Sequence, residues 1–160
     1  MSKNSEKEGV VKKDTLLEAV EADDKKQVTE IVKAISSQEA LRQASLMKAS
    51  ERDQLISILE PEAAAELIEE APAGMAVNMI EGVEASVAVK IMEELHTDTQ
   101  ADIVNEIKQE KAEAILSEMD TETAEDVRKL SQYDSDTAGG LMELEAFTFF
   151  GKENVGYVLE

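Results

Sequence analysis

Cysteine is missing from the sequence, tryptophan is missing, and histidine occurs once. Without cysteine there can be no disulfide staple, no thiolate metal site and no cysteine nucleophile. A single histidine, His96, cannot by itself build a zinc centre. No apolar stretch approaches the roughly 18 residues needed to cross a bilayer. The N-terminus, Met1-Ser-Lys-Asn-Ser-Glu-Lys-Glu, lacks the apolar segment of a secretion signal. These absences lead to the expectation of a soluble, intracellular chain with no direct membrane insertion.

Positive charge is also scarce. Sixteen basic residues face 36 acidic ones, a net charge of −20. Such a field repels nucleic acid and anionic lipid and concentrates cations near the surface. Metal cations or a basic protein surface are therefore expected as partners, and nucleic acid is not. The 42% hydrophobic content is that of an ordinary globular protein, and 160 residues allow one domain with a genuine core.

What the chain does have is a repeat. Cut every twelve residues from Lys48, it reads KASERDQLISIL, EPEAAAELIEEA, PAGMAVNMIEGV, EASVAVKIMEEL, HTDTQADIVNEI, KQEKAEAILSEM and DTETAEDVRKLS. Positions 8 and 9 hold pairs such as Leu55/Ile56, Leu67/Ile68, Met79/Ile80 and Ile91/Met92. Position 12 is apolar from Leu59 to Met119, and position 5 is alanine at Ala64, Ala76, Ala88, Ala112 and Ala124. Positions 5, 8, 9 and 12 share one face of an α-helix. At about 100° per residue, a continuous helix would turn this stripe by about 120° per unit, so it could never be buried on one side. The helix must break once per unit.

Pro61 and Pro72 suit first-turn positions, and Gly74 and Gly82 weaken continuation at unit edges. Thr97–Gln100 and Ser36–Glu39 have capping-box spacing, and Asp120 suits a cap. Each unit is expected to be a helix of about ten residues, roughly 15 Å long and too short to stand alone. Neighbours must stack, with the small residue at position 5 letting them approach closely. The predicted fold is all-α over residues 14–132, a right- or left-handed superhelix of short helices, an α-solenoid.

Upstream, Asp14–Ala22 and Asp24–Ile35 read as two further helices with a turn and cap at Asp23-Asp24. Residues 1–13 are polar and are expected to be flexible. Downstream the composition changes. All five aromatics and four of the seven glycines follow Gln132. Leu144–Phe150 is β-prone, Gly151 marks a turn, and Asn154–Glu160 looks like the start of a helix. Residues 133–160 thus read as the opening of a second module.

Acidic residues occupy both positions 3 and 7 in Glu62/Glu66, Asp98/Asp102 and Glu122/Asp126. These are i, i+4 pairs, and like charges at that spacing mildly destabilise a helix. A solvated face is the ordinary reading of any one pair, helped at position 3 by the helix dipole. The metal reading rests on chemistry: Mg²⁺ takes one or two carboxylates and keeps much of its water, so a helix pair facing another domain would suffice. Catalysis has less support, because no deep apolar pocket is signalled to shift a carboxyl pKa. His96, at position 1, reads as a surface or capping residue. Met79, Met92 and Met119 read as core.

The most specific string is YDSDTAGGLM at Tyr133–Met142. It resembles the junction between the cytoplasmic N domain and the first CBS domain of MgtE-type magnesium channels. The units LEPEAAAELIEEA and HTDTQADIVNEI resemble that family's N domain, and LEAFTFFGKENVGYVLE resembles the opening strand and helix of CBS. The resemblance spans residues 14–160. It implies a non-enzymatic, Mg²⁺-sensing regulatory domain on the cytoplasmic face of the cell membrane. It also implies CBS and pore domains of the same protein as partners, and a homodimer in the full-length context. In this family Mg²⁺ bridges carboxylates of the N and CBS domains and closes the pore. Carried over by position, the N-domain metal carboxylates fall on Glu66, Asp98 and Asp102. A second reading is a helical interaction scaffold, since such units also resemble parts of flagellar motor-switch proteins; the AGGLM junction speaks against it.

Overall fold

Helix starts recur at the interval that the apolar stripe dictates. The computed structural model describes residues 15–134 and 136–142. Ten α-helices lie among them: α1 Thr15–Glu21, α2 Lys25–Ala34, α3 Ser37–Leu46, α4 Ala49–Ile58, α5 Pro61–Glu69, α6 Ala73–Gly82, α7 Ala85–Met92, α8 Thr97–Glu106, α9 Gln109–Glu118 and α10 Thr121–Leu130. From α2 onward every helix begins twelve residues after the last. The period therefore starts at Asp24, two units earlier than the register read from Lys48. In those units Val28 and Ala40 take position 5, both fully buried. Gln43 replaces the aliphatic residue at position 8, which disguised the second of them.

The break between most units is two residues long, widening to three after α5 and four after α7. Position 12 takes an extended backbone at Ile35, Met47, Leu59, Val83, Ile107 and Met119. Position 1 is also non-helical, as the cap before each following helix. These two residues correct the phase drift of the stripe. Position 12 still anchors the turn: the N–H groups of Ile35, Leu59, Ile107 and Met119 each donate to the carbonyl at position 8. Its apolar side chain is buried at Met47, Leu59, Val83, Leu95, Ile107 and Met119.

Packing follows alternation. Helices α2, α4, α6, α8 and α10 lie side by side in one layer, and α3, α5, α7 and α9 in the other; α1 packs against α2 and α4. Contacts such as α5 with α6 and α8 with α9 join the layers. The predicted stripe is the core, with Leu55, Ile56, Leu67, Ile68, Met79, Ile80, Ile91, Met92 and Ile115 essentially inaccessible. Alanine at position 5 is buried in all six units that have it, α3 included. The architecture is the all-α solenoid that the sequence predicts, with no strand among the described residues. The β-prone run Leu144–Phe150, the helix start Asn154–Glu160 and residues 1–13 lie outside them.

The caps agree in part. Asp120 accepts the Glu122 and Thr123 N–H groups, and Asp24 accepts that of Gln27. Between α1 and α2, Asp23 sits in the left-handed region at φ 55°, a conformation that aspartate tolerates better than most residues. Ser36 accepts the Glu39 N–H, but the Glu39 carboxylate turns to Arg42 and Gln43 instead of completing a box. The Arg42 guanidinium lowers the Glu39 carboxyl pKa to about 2. Pro61 is the first residue of α5, as its fixed φ favours, whereas Pro72 is the N-cap of α6. Thr97–Gln100 is not a capping box. His96 is the cap residue, and the buried Gln100 side chain reaches back to the Leu95 carbonyl at 2.6 Å.

After α10 the chain folds back on itself. The Tyr133 N–H donates to the Leu130 carbonyl, and the Leu141 N–H to that of Thr137. A β-carbon on Gly139 would lie 2.6 Å from the Tyr133 ring. The first glycine of AGGLM is thus fixed by close ring contact.

Candidate metal-binding face

Helix α8 breaks the alanine rule of its neighbours at a buried position. Position 5, alanine in α5, α6, α7, α9 and α10, is Gln100 here, 1% exposed. Its amide nitrogen reaches the Leu95 carbonyl, but its Oε1 is buried without a hydrogen-bond partner. Thr97 is buried as well. On the outward side of the same helix, Asp98 and Asp102 are half-buried one turn apart.

The Asp98 and Asp102 pair is electrostatically uncomfortable. Partial burial raises the Asp102 carboxyl pKa, and the charges of Asp98 and Glu106 push it the same way. Asp98 is oriented by a bond from the next residue: its Oδ1 accepts the Thr99 N–H at 2.8 Å. Thr99 is held in turn by α5, because its hydroxyl donates to Glu69 Oε2 at 2.9 Å. The other Glu69 oxygen accepts the His96 N–H at 2.8 Å, with the His96 Nδ1 3.1 Å away. Glu69 therefore takes up one of the unpaired N–H groups at the start of α8 from outside the helix. Glu66 lies one turn before Glu69 on α5 and is exposed.

The arrangement is repeated once. Glu81, at the same repeat position on α6, accepts the Lys108 N–H at 2.9 Å, and its other oxygen is 3.5 Å from Lys108 Nζ. That N–H bond, with the nearby lysine charges, holds the Glu81 carboxyl below the usual range. Both ties link an acid at position 10 to a position-1 residue 27 residues later. The reading of the sequence missed them. Their only signal was an acid at position 10 matched with a basic residue three units on.

Of the three carboxylates expected to bind metal, the structure brings Asp98 and Asp102 together. Glu66 stands on the helix that buttresses them. Among the described residues no group of three or more acidic or histidine side chains is placed to enclose an ion. The donors are hard oxygens with a charge conflict that a cation relieves. They fit a hydrated divalent ion shared with another surface, and not a closed centre of their own. Glu122 and Asp126 hold the same repeat positions on α10, the helix packed beside α8 in its layer.

A two-layered stack of twelve-residue helical units in a chain this acidic defines an α-solenoid domain. The model of the MgtE intracellular N domain matches residues 37–136, and the chain belongs to that family. Two solved structures share the fold. One is the cytosolic domain of the Mg²⁺ channel MgtE in complex with ATP: TM-score 0.70, 24% identity, 82% of this chain and 54% of that one. The other is the soluble part of a magnesium transporter: TM-score 0.68, 22% identity, 80% of this chain and 51% of that one. The chain thus spans about half the length of each. No curated protein matches it. Among the described residues, no helix is long and apolar enough to cross a membrane.

Proposed function

We propose that this chain is the Mg²⁺-responsive regulatory domain of a magnesium channel or transporter, acting on the cytoplasmic side of the membrane. In this reading residues 14–132 are the N domain, and residues 133–160 are the junction and the start of a CBS domain. Its partners are CBS and pore domains of the same protein, within a homodimer, and it is not an enzyme.

The observation that carries the proposal is the Asp98/Asp102 pair, half-buried, mutually repelling and fixed on a rigid helix. Two acidic bodies repel unless a divalent cation sits between them. Bound Mg²⁺ would supply that positive charge. Asp98 and Asp102, with Glu66 contributed from α5, would hold it largely through its water shell. The ion then acts as a weak, regulatory ligand whose affinity depends on acids contributed by the opposing domain.

The test is small-angle scattering of this domain joined to its CBS pair across a Mg²⁺ titration. Wild type should become compact as Mg²⁺ rises. Asp98→Ala with Asp102→Ala should need more Mg²⁺ without unfolding, since neither residue belongs to the core stripe. Coincident titration curves would make these aspartates ordinary surface acids.

A further inference from the structure

We propose that Glu69 is a positioning residue for the α8 carboxylates, acting through Thr99; the inference rests on the metal reading of Asp98 and Asp102. The bonds form a chain across two helices. Glu69 Oε2 accepts the Thr99 hydroxyl at 2.9 Å, and Asp98 Oδ1 accepts the Thr99 N–H at 2.8 Å. The second Glu69 oxygen holds the His96 N–H. One carboxylate on α5 thus fixes both the residue before α8 and the residue after Asp98. Glu69 is itself only partly exposed, so it is a component of the packing between helices.

The cost of ordering supports a role beyond capping. A weak, hydrated cation gains little from each carboxylate, so freezing a mobile side chain at the moment of binding would remove much of the affinity. Asp98 is already oriented. The turn that carries it is tied to α5 through Thr99, and one carboxylate oxygen accepts the Thr99 N–H. Groups that orient metal ligands in this way commonly change affinity about 10- to 100-fold when removed. The tie also couples the two helices that carry the proposed ligands. Glu66 sits on the helix that supplies Glu69, so a shift between α5 and α8 changes the spacing of Glu66 from Asp98 and breaks the Thr99 link.

Glu81 supplies an internal control. It makes the same cap one unit later, on Lys108, where no acidic pair follows at positions 3 and 7. A merely structural Glu69 should therefore behave as Glu81 does.

The experiment is a Mg²⁺ titration of the full chain, read from the amide resonances of Asp98, Thr99 and Asp102. Glu69→Ala should raise the midpoint roughly tenfold, the lower end of that range, and Glu81→Ala should leave it in place. Glu69→Gln keeps an acceptor for the His96 N–H, and its amide can donate to the Thr99 hydroxyl, which also accepts. It should stay near wild type. Thr99→Val removes the Glu69–Thr99 bond from its other end, keeping the N–H to Asp98, and should match Glu69→Ala, which keeps the test open should the latter fail to fold. A midpoint for Glu69→Ala and Thr99→Val no higher than that of Glu81→Ala overturns the proposal. So does an equal loss in Glu69→Gln, which would make the effect one of charge. If Asp98→Ala with Asp102→Ala leaves the midpoint unchanged, the metal reading itself is wrong and the proposal falls with it.

Discussion

Helices α7 and α8 are successive turns of one repeat, yet they solve different problems. In α7 the inward residues are Ala88, Val89, Ile91 and Met92, all buried and all apolar. In α8 the buried set is Thr97, Gln100, Ala101 and Ile103, and Val104 is only half-buried. Helix α7 therefore gains from hydrophobic burial at each inward position, while α8 spends two of its buried positions on polar groups, one with an unpaired oxygen. The polar helix is also the one that bears the Asp98/Asp102 pair and is tied down from outside by Glu69. Departures from a repeat's own rule tend to mark function, because nothing in the packing favours them. Here packing made regular by α7 and its neighbours provides the rigid base on which an irregular helix can be held.

The sharpest way to test that contrast is to remove a side chain from the regular helix. Ile91 is 1% exposed in the middle of the stack. Ile91→Ala should destabilise the chain by about 2–5 kcal/mol in chemical denaturation, the usual cost of a buried aliphatic truncation. A change within error would show that position 8 does not carry the core.

The caps come next in size. Glu69→Ala and Glu81→Ala should each lower the denaturation midpoint by less than Ile91→Ala does, as losing an N-terminal cap usually does. They are far enough apart to test independence: the double variant should lose roughly the sum. A deficit much larger than the sum would mean that the two ties fail together, and that α8 and α9 move as one body.

Gln100 should be less costly still. It fills a position that alanine occupies in six sister units, and its buried Oε1 lacks a partner. Gln100→Ala loses the bond to the Leu95 carbonyl and also the desolvated oxygen, so the net change should stay within about 1 kcal/mol. A loss equal to that of Ile91→Ala would make Gln100 a structural keystone and erase the difference between α7 and α8.

These residues also show what could be read in advance. The stripe was legible because burial imposes a period, and a twelve-residue period forces a break wherever the helix would lose its face. Asp98 and Asp102 stood out as one of several acidic pairs, and the family resemblance singled them out. Glu69 was invisible because its partner lies 27 residues away, a distance closed only by stacking. The Thr97–Gln100 spacing misled for a related reason. Motif spacing fixes which residues could meet along a helix, but burial of Gln100 and the outside cap from α5 decided which did. Likewise, the unit from Ser36 to Met47 hid from the pattern because Gln43 is polar, although it is buried like its aliphatic counterparts.

The smallest effect concerns the charge conflict on α8 and separates it from the acids that basic partners hold low. The folded protein holds the Asp102 carboxyl pKa above the ordinary aspartate value of about 3.9. The folded state therefore binds that proton more tightly than the unfolded chain does. The stability Asp102 contributes is present in full below about pH 3.9 and is lost as pH rises through the higher folded value. Glu39, Glu51, Glu60 and Glu81 are shifted the other way by their basic partners, so their contribution grows as pH rises. In the whole chain those opposing trends overlap. They cancel in the difference between wild type and Asp102→Asn, which keeps shape and removes the charge. That difference should be near zero at about pH 3 and should favour the variant at about pH 7. Adding Mg²⁺ at neutral pH should then narrow the gap from the wild-type side, because a ligand bound only by the folded state stabilises it by mass action. A difference flat with pH would place Asp102 in ordinary solvent. A difference that rises with pH but ignores Mg²⁺ would leave the repulsion real and its relief to some partner other than a divalent cation.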